Sequence, residues 1–233
     1  MKRSRIFLSL TICMVLFFSS CKKEGFNTIT KDLNVRDFHK LELAGEFDVH
    51  ITQGNEYKVR ITGKERDLAE LEVKVFDHLL LIDYPHFDLL RRKATITITM
   101  PSLQDMVFAG ESNITVEGFT ENVPVRVETS GESKLFLKMN APVFQIIATS
   151  LSEVTVSGIA GELKAETAGA AIIDAYQTPV IKGTAVANSQ STIKLHTLQW
   201  LSATAGGKSR IYYKGNPPQE NLVIAGDAQI IKE

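Results

Sequence analysis

A five-residue pattern recurs along the second half of the chain at an almost constant spacing. Each copy consists of a small residue, any residue, Ser or Ala, any residue and an aliphatic residue. The seven copies begin at Gly110, Gly131, Ser150, Gly169, Ser189, Gly207 and Gly226. Successive copies start 21, 19, 19, 20, 18 and 19 residues apart. A short fixed period of this kind is typical of folds that stack one small structural unit on the next.

Each copy also alternates between apolar and polar residues, which indicates a β-strand with one buried face. The aliphatic position is predicted to face inward, and it is occupied by Ile114, Leu135, Val154, Ile173, Ile193, Ile211 and Ile230. The position before it is polar in six of the seven copies. The Ser or Ala of each copy should face inward as well, near a tight bend; these residues are Ser112, Ser133, Ser152, Ala171, Ser191, Ser209 and Ala228.

Two all-β architectures are compatible with these alternating strands. In a parallel β-helix, or β-solenoid, each repeat is one coil, and equivalent residues of successive coils stack about 4.8 Å apart. In an antiparallel sandwich, strands would follow one another every ~8–12 residues around a core that does not repeat. The sandwich explains the alternation but not the recurrence of the same residue types at the same phase. The sequence therefore favours a β-solenoid with coils of about 19–21 residues.

Residues 33–101 differ from this repeat and read as longer amphipathic strands. The turn residues Gln53-Gly54-Asn55 predict a return strand over Tyr57–Ile61, and the helix formers within Lys64–Glu72 predict a short helix. Solenoids need caps, because an open end exposes unpaired strand edges. We therefore interpret residues 33–101 as the N-terminal cap and first coils, continuous with the repetitive solenoid of residues 102–233.

The N-terminus has the composition of a secretion signal. Three basic residues precede the thirteen-residue apolar run Ile6–Phe18, which is shorter than the ~20 residues of a membrane-spanning helix. The sequence Phe18-Ser19-Ser20-Cys21 resembles the lipobox of bacterial lipoproteins, in which the cysteine becomes lipid-modified. We therefore predict a signal peptide over residues 1–20, lipid attachment at Cys21 and a polar tether over residues 21–32. Ordinary secretion, with Cys21 as a bystander, is the alternative.

Charge and motif content narrow the range of functions. The whole chain has a formal net charge of -1, and after residue 20 it has 26 − 3 = 23 basic residues against 27 acidic ones. This balance disfavours nucleic-acid binding and electrostatic docking on a membrane, so the lipid is the predicted membrane anchor.

Two cysteines support neither a disulfide framework nor a four-ligand zinc site. No phosphate-binding loop, dinucleotide fingerprint or nucleophile elbow occurs in the sequence, so we predict no enzyme, cofactor or metal.

Two groups of outward side chains are candidates for binding. Glu111 and Glu132 should stack on adjacent coils, where they could bind a cation or form a solvated surface pair; the second interpretation is favoured. Phe136, Trp200 and Tyr212 are the candidate binding surface, because sugar rings and partner side chains stack on exposed aromatic rings. Local packing is the alternative for each ring, and it is favoured. The corresponding partners are a glycan or an envelope protein.

The stretch Leu43–Gly54, the later Leu79–Ile82 and the Gly-x-Ser repeats together resemble the family called "putative auto-transporter adhesin, head GIN domain". The resemblance covers the chain from about Phe38 onward. It implies a right-handed, single-stranded parallel β-helix that is exported to the envelope of Gram-negative bacteria, and it implies no catalytic residues. We accordingly expect a cell-envelope location, lipid-anchored at the outer membrane and facing either the periplasm or the surface.

Three functional hypotheses follow from the sequence. The first is an adhesin-like binding module that presents a repetitive face to a glycan or protein. The second is a structural envelope protein that oligomerises through its C-terminal end, where only the charges of Lys232 and Glu233, or another molecule, would act as a cap. The third is a polysaccharide-active enzyme on a β-helix, which would need a dense cluster of carboxylates and basic residues in one groove.

Overall fold

The computed structural model describes residues 27–86 and 88–233. The predicted signal peptide and Cys21 lie outside these residues. The elements are β1 (Thr28–Leu33), β2 (Lys40–Gly45), β3 (Phe47–Gln53), β4 (Lys58–Lys64), α1 (Glu65–Ala69), β5 (Glu72–Phe76), β6 (Leu79–Asp83), β7 (Ala94–Met100), β8 (Asp105–Gly110), β9 (Asn113–Thr120), β10 (Val125–Thr129), β11 (Lys134–Ala148), β12 (Glu153–Ser157), β13 (Ala160–Thr167), β14 (Ile172–Ala187), β15 (Thr192–Ala205), β16 (Arg210–Lys214), β17 (Gln219–Ile224) and β18 (Gln229–Lys232). The all-β prediction is confirmed.

Two parallel ladders run the length of the molecule. The first ladder consists of β6, β2, β8, β10, β11, β13, β14, β15 and β17. The second ladder consists of β7, β3, β9, β11, β12, β14, β15, β16 and β18. Strands β11, β14 and β15 contribute to both ladders because each continues around a bend from the second ladder into the first. The parallel pairing confirms the β-solenoid and excludes the antiparallel sandwich.

The predicted aliphatic positions form one continuous column inside the second ladder. The Cα register pairs Ile114 with Leu135, and then continues one residue per coil through Val154, Ile173, Ile193, Ile211 and Ile230. All but Ile230 in the last strand are at most 1% exposed. The column extends beyond the repeats to Val49 of β3 and Ile96 of β7.

The small first residue of each repeat marks a corner of the coil. All seven of these residues have a positive φ, between 63° and 102°. At this corner the N–H of Glu132 donates to the Gly110 carbonyl at 2.8 Å, and the N–H of Leu151 donates to the Gly131 carbonyl at 2.9 Å. A Cβ on Gly131 would lie 2.3 Å from the Gly110 oxygen. Small residues therefore recur here because successive corners approach too closely for larger ones.

The Ser or Ala of each repeat is buried inside this corner, as predicted. Exposure at these seven positions ranges from 0% to 8%. The Ser112 hydroxyl donates to the Gly45 carbonyl at 3.0 Å, and the Ser133 hydroxyl donates to the Gly110 carbonyl at 3.2 Å. Serine is tolerated in the core because its hydroxyl finds a carbonyl of the neighbouring coil.

The first coils are not stacked in chain order. Strands β2 and β3 form one coil, with the later β6–β7 coil on one side and the β8–β9 coil on the other. Three antiparallel strands flank the outer coil: β5 pairs with β6, β4 pairs with β7, and β1 pairs with β4. The predicted return strand is present as β4, but β7 lies between it and β3. The short helix is present as α1, within the predicted range.

At the opposite end, β17 and β18 are the outermost strands of the two ladders. Leu222 and Ile224 of β17 are in register with the buried Ala203 and Ala205 of β15, and so belong to the inward-facing set. They are nevertheless 41% and 54% exposed, because no described strand covers them. Among the described residues, no helix combines the length and apolarity that crossing a membrane requires.

Candidate functional site

An almost uncharged surface covers the last three strands of the first ladder. Its nine side chains point outward because the residues between them, such as Ala185, Leu201 and Ala203, are buried in the core. The register places one row of three on each of β14, β15 and β17. We call this surface the Trp200 face; it consists of Lys182, Thr184, Val186, Trp200, Ser202, Thr204, Gln219, Asn221 and Val223.

Lys182 is the charged member of this set, and it is paired with a carboxylate that it shares with Lys164. The Nζ of Lys182 lies 3.3 Å from Oε1 of Glu162 on the preceding strand, and 5.0 Å from the centroid of the Trp200 ring. Strand β13, by contrast, presents Glu162, Lys164 and Glu166 at the equivalent outward positions. The charge pattern of the first ladder therefore changes abruptly between β13 and β14.

Trp200 lies at the edge of a shallow groove at the corner of the coils. Its neighbours in register are Lys182 on β14 and Gln219 on β17. The buried Thr197 hydroxyl donates to the Trp200 carbonyl at 2.9 Å, which fixes the backbone at this bend. The groove has a volume of about 530 Å³ and is lined by Ile181, Lys182, Gln199, Trp200, Pro218 and Gln219.

Phe136 and Tyr212, the other two aromatic candidates, lie on the second ladder rather than beside Trp200. They belong to one outward column, in which the register runs from Phe136 through Thr155, Asp174 and Lys194 to Tyr212. Four coil spacings separate them, or roughly 19 Å. Phe136 is 57% exposed. The three predicted aromatic residues therefore do not form one surface, because Trp200 lies on the first ladder and the other two lie on the second.

Tyr176 is a better-connected aromatic group on the second ladder. Nζ of Lys214 lies 4.2 Å from its ring centroid, and its hydroxyl donates to Oε2 of Glu233 at 2.9 Å. Burial raises the pKa of the Tyr176 hydroxyl, and the hydrogen bond to Glu233 raises this pKa further. The phenol is therefore held in its protonated form as a hydrogen-bond donor.

Glu111 and Glu132 lie on adjacent coils in a surface of mixed charge. Oε1 of Glu111 is 3.4 Å from Nζ of Lys93, and the same depression also includes Lys134 and Glu153, whose charged atoms are 3.6 Å apart. Within residues 27–86 and 88–233, no three His, Cys, Asp or Glu side chains converge as a metal site would require. This arrangement is that of a solvated ion-pair network.

A histidine pair at the capped end was not recognisable from the sequence. The rings of His39 and His78 stack with centroids 5.0 Å apart, and Nδ1 of His78 lies 2.9 Å from the Asp37 carbonyl oxygen. Burial lowers the pKa of His39, and the nearby charges of His78 and Lys40 lower it further, although Asp77 and Glu121 oppose them. The two residues are 39 positions apart, and the β2–β6 pairing brings them together.

Three members of the Trp200 face, namely Ser202, Gln219 and Asn221, were also absent from the sequence-based candidates. Each is an ordinary polar residue in its own strand. Ser202 lies two residues from Trp200 on β15, whereas the relation of Gln219 and Asn221 to Trp200 depends on the register between β15 and β17, whose paired residues are 19 positions apart. The repeat itself could have identified these neighbours, because residues at the same position of successive repeats lie side by side in a solenoid.

Solved structures with the same fold come from species of Bacteroides and Parabacteroides. A protein described as a "putative adhesin" from Bacteroides fragilis NCTC 9343 has a TM-score of 0.80 and 21% identity, covering 89% of this chain and 98% of its own. A "putative lipid binding protein" from Parabacteroides distasonis ATCC 8503 has a TM-score of 0.71 and 18% identity, covering 89% and 97%. A "putative adhesin" from Parabacteroides merdae ATCC 43184 has a TM-score of 0.66 and 17% identity, again covering 89% and 97%.

Sequence comparison addresses the family directly. The search of curated protein sequences finds no match to this chain. A family model described as "Putative auto-transporter adhesin, head GIN domain" matches residues 37–217, which is most of the described solenoid. This match confirms the resemblance that the Leu43–Gly54 motif and the repeats indicate, and it points to an adhesin-like protein of the cell envelope or surface. The chain belongs to the "putative auto-transporter adhesin, head GIN domain" family.

Proposed function

We propose that this protein is a lipid-anchored binding module of the bacterial cell envelope, attached at the outer membrane through Cys21. The observation that carries the proposal is the Trp200 face, an almost uncharged surface built around one aromatic ring beside the charged strand β13. Binding surfaces commonly combine such an aromatic anchor with surrounding polar side chains. The proposal includes no catalytic step.

The position of the tether supports this function. Six residues separate Cys21 from Thr28, the first residue of β1, and β1 is the outermost strand at the capped end. Trp200 lies on β15, seven coil spacings from β6 in the first ladder, or roughly 34 Å. A lipid on Cys21 would therefore hold the capped end near the membrane and the Trp200 face away from it.

Lipid attachment is tested by labelling cells with a palmitate analogue. The wild-type protein should incorporate the label and fractionate with the outer membrane, and Cys21→Ala should lose both properties. Cys13→Ala is the matched control, because it removes a cysteine of the predicted signal peptide and should leave labelling of the mature protein intact. Unchanged labelling of Cys21→Ala would eliminate the anchor from the proposal.

Binding is tested on the soluble chain that starts at Lys22, which retains every described strand. It should bind at least one member of a panel of polysaccharides and purified envelope proteins, and it should leave all polysaccharides uncleaved. Absence of binding across the panel would refute the binding module. Release of reducing ends from any polysaccharide would instead support the enzyme hypothesis.

A second candidate function, self-association, is favoured by the exposed inward-facing side chains of β17. Leu222 and Ile224 are 41% and 54% exposed, and strand edges of this kind pair readily with another chain. Sedimentation of the soluble chain should then reveal an oligomer that Ile224→Lys converts to a monomer. A monomer at all concentrations would remove this candidate.

A further inference from the structure

We propose that the Trp200 face binds an uncharged saccharide chain; this inference rests on the proposed binding function and specifies its ligand class. The face offers one tryptophan ring at a groove, with hydroxyl and amide side chains from three adjacent coils beside it. The apolar C–H face of a sugar ring stacks on an aromatic ring, and the sugar hydroxyls then point to either side.

The polar groups around Trp200 match the hydrogen-bonding character of a sugar. Gln219 and Asn221 have amide groups, and Thr184 and Ser202 have hydroxyls, each of which can both donate and accept hydrogen bonds. Sugar hydroxyls have the same dual character. The register places Gln219 beside Trp200, and Asn221 beside Ser202, at strand spacings of about 4.8 Å. A saccharide stacked on the ring would therefore reach amide and hydroxyl groups on two neighbouring strands.

The charge distribution selects against an acidic ligand. Lys182 is paired with Glu162 at 3.3 Å, and Glu162 is shared with Lys164 at 3.8 Å. With Glu166 included, the two lysines and two glutamates balance, so no net positive charge remains for a carboxylate or sulfate group. On β13 the carboxylates of Glu162 and Glu166 lie on either side of the single basic residue, Lys164, and they would oppose the approach of a polyanion. Burial of uncompensated charge is unfavourable, whereas a neutral polyol loses only hydrogen bonds to water that the face can replace.

The face is also ordered before any ligand binds. The rows on β14 and β15 stand over a buried core, and the row on β17 is held by the pairing of β17 with β15. Most of the side chains are short, so few rotamers are lost on binding. A protein partner would more commonly require a larger apolar centre that contains several aromatic or aliphatic side chains. The Trp200 face instead has a single aromatic ring within a field of hydroxyl and amide groups, which favours a saccharide.

Trp200 is the single tryptophan of the chain, so its fluorescence reports on this face alone. The soluble chain from Lys22 is titrated with dextran, mannan, xyloglucan and laminarin as neutral probes, and with alginate and polygalacturonate as acidic ones. At least one neutral probe should shift the emission to shorter wavelength and protect Trp200 from acrylamide quenching. The acidic probes should have no effect.

Variants then identify the binding groups. Gln219→Ala and Asn221→Ala keep the reporter and should each weaken binding about 3- to 10-fold, the effect of one lost hydrogen bond. Trp200→Ala, followed by calorimetry, should weaken it about 30-fold or more. Phe136→Ala is the matched control, because it removes an exposed aromatic ring from the other ladder and should leave binding unchanged.

The outcomes separate this inference from the function on which it rests. Saccharide binding that leaves Trp200 fluorescence and quenching unchanged, or equal binding of acidic probes, would overturn the inference and preserve a binding module. Binding to envelope proteins but to no saccharide would do the same. Absence of binding to either class would overturn both proposals.

Discussion

The close approach of successive coils at the glycine corner leads to a quantitative prediction. Gly131 and Gly118 both have a left-handed backbone, with φ of 75° and 87°. They differ in the space available: a Cβ on Gly131 would lie 2.3 Å from the Gly110 carbonyl oxygen, whereas a Cβ on Gly118 would meet nothing closer than 3.9 Å. Gly118→Ala is therefore a matched control for Gly131→Ala.

Both substitutions place a Cβ in the left-handed region, at a cost of about 1–2 kcal/mol. Both also reduce the entropy of the unfolded chain by a similar amount, so that this effect cancels between them. Gly131→Ala must in addition push two coils apart, or tilt them, to relieve the clash. Overpacking of this kind costs about 1–3 kcal/mol, which is the expected difference in the free energy of unfolding.

Thermal unfolding followed by circular dichroism measures this difference. For a chain of this size, 1 kcal/mol corresponds to about 2–4 °C in Tm, so Gly131→Ala should unfold roughly 2–12 °C below Gly118→Ala. Urea unfolding of the same two variants provides an independent value. Equal stability of the two variants would refute the argument that contact between neighbouring corners, rather than φ alone, selects glycine at this position.

Two further predictions concern the cap and the core. Because the pKa of His39 is lowered in the fold, the unfolded chain binds the proton more readily than the folded chain does. The contribution of His39 to the free energy of unfolding should therefore be fully present above pH 6.5, the ordinary pKa of histidine, and should decline as the pH falls through that value. His39→Gln should flatten this part of the Tm profile, and an unchanged profile would assign the pH dependence to other groups. Ile193→Ala, at a fully buried position between isoleucines of the coils on either side, should lose about 2–5 kcal/mol. Denaturant unfolding measures this loss, with the exposed Phe136→Ala as the near-neutral control, and equal effects would contradict the continuous column.

The repeat was sufficient to predict the solenoid and the identity of its internal column. In a stack of coils, each position of the repeat has the same surroundings in every coil. The alternation of apolar and polar residues, together with the constant period, therefore determines which side chains point inward. The corner glycines and serines follow from the same logic. Their positive φ, together with the close approach of neighbouring corners, explains why the first position of the pattern accepts only small residues in this chain.

The order of the first coils and the composition of the outer surfaces depended on tertiary structure. The β6–β7 coil lies outside the β2–β3 coil, and these strands lack the repeat. The outer coil also pairs with the antiparallel strands β4 and β5, so its place depends on contacts between segments that are distant along the chain. The sequence predicts that Phe136 and Trp200 both face outward, but long bent strands carry them onto different ladders. The Trp200 face exists only where three coils align, because its neighbours are close in space and distant along the chain.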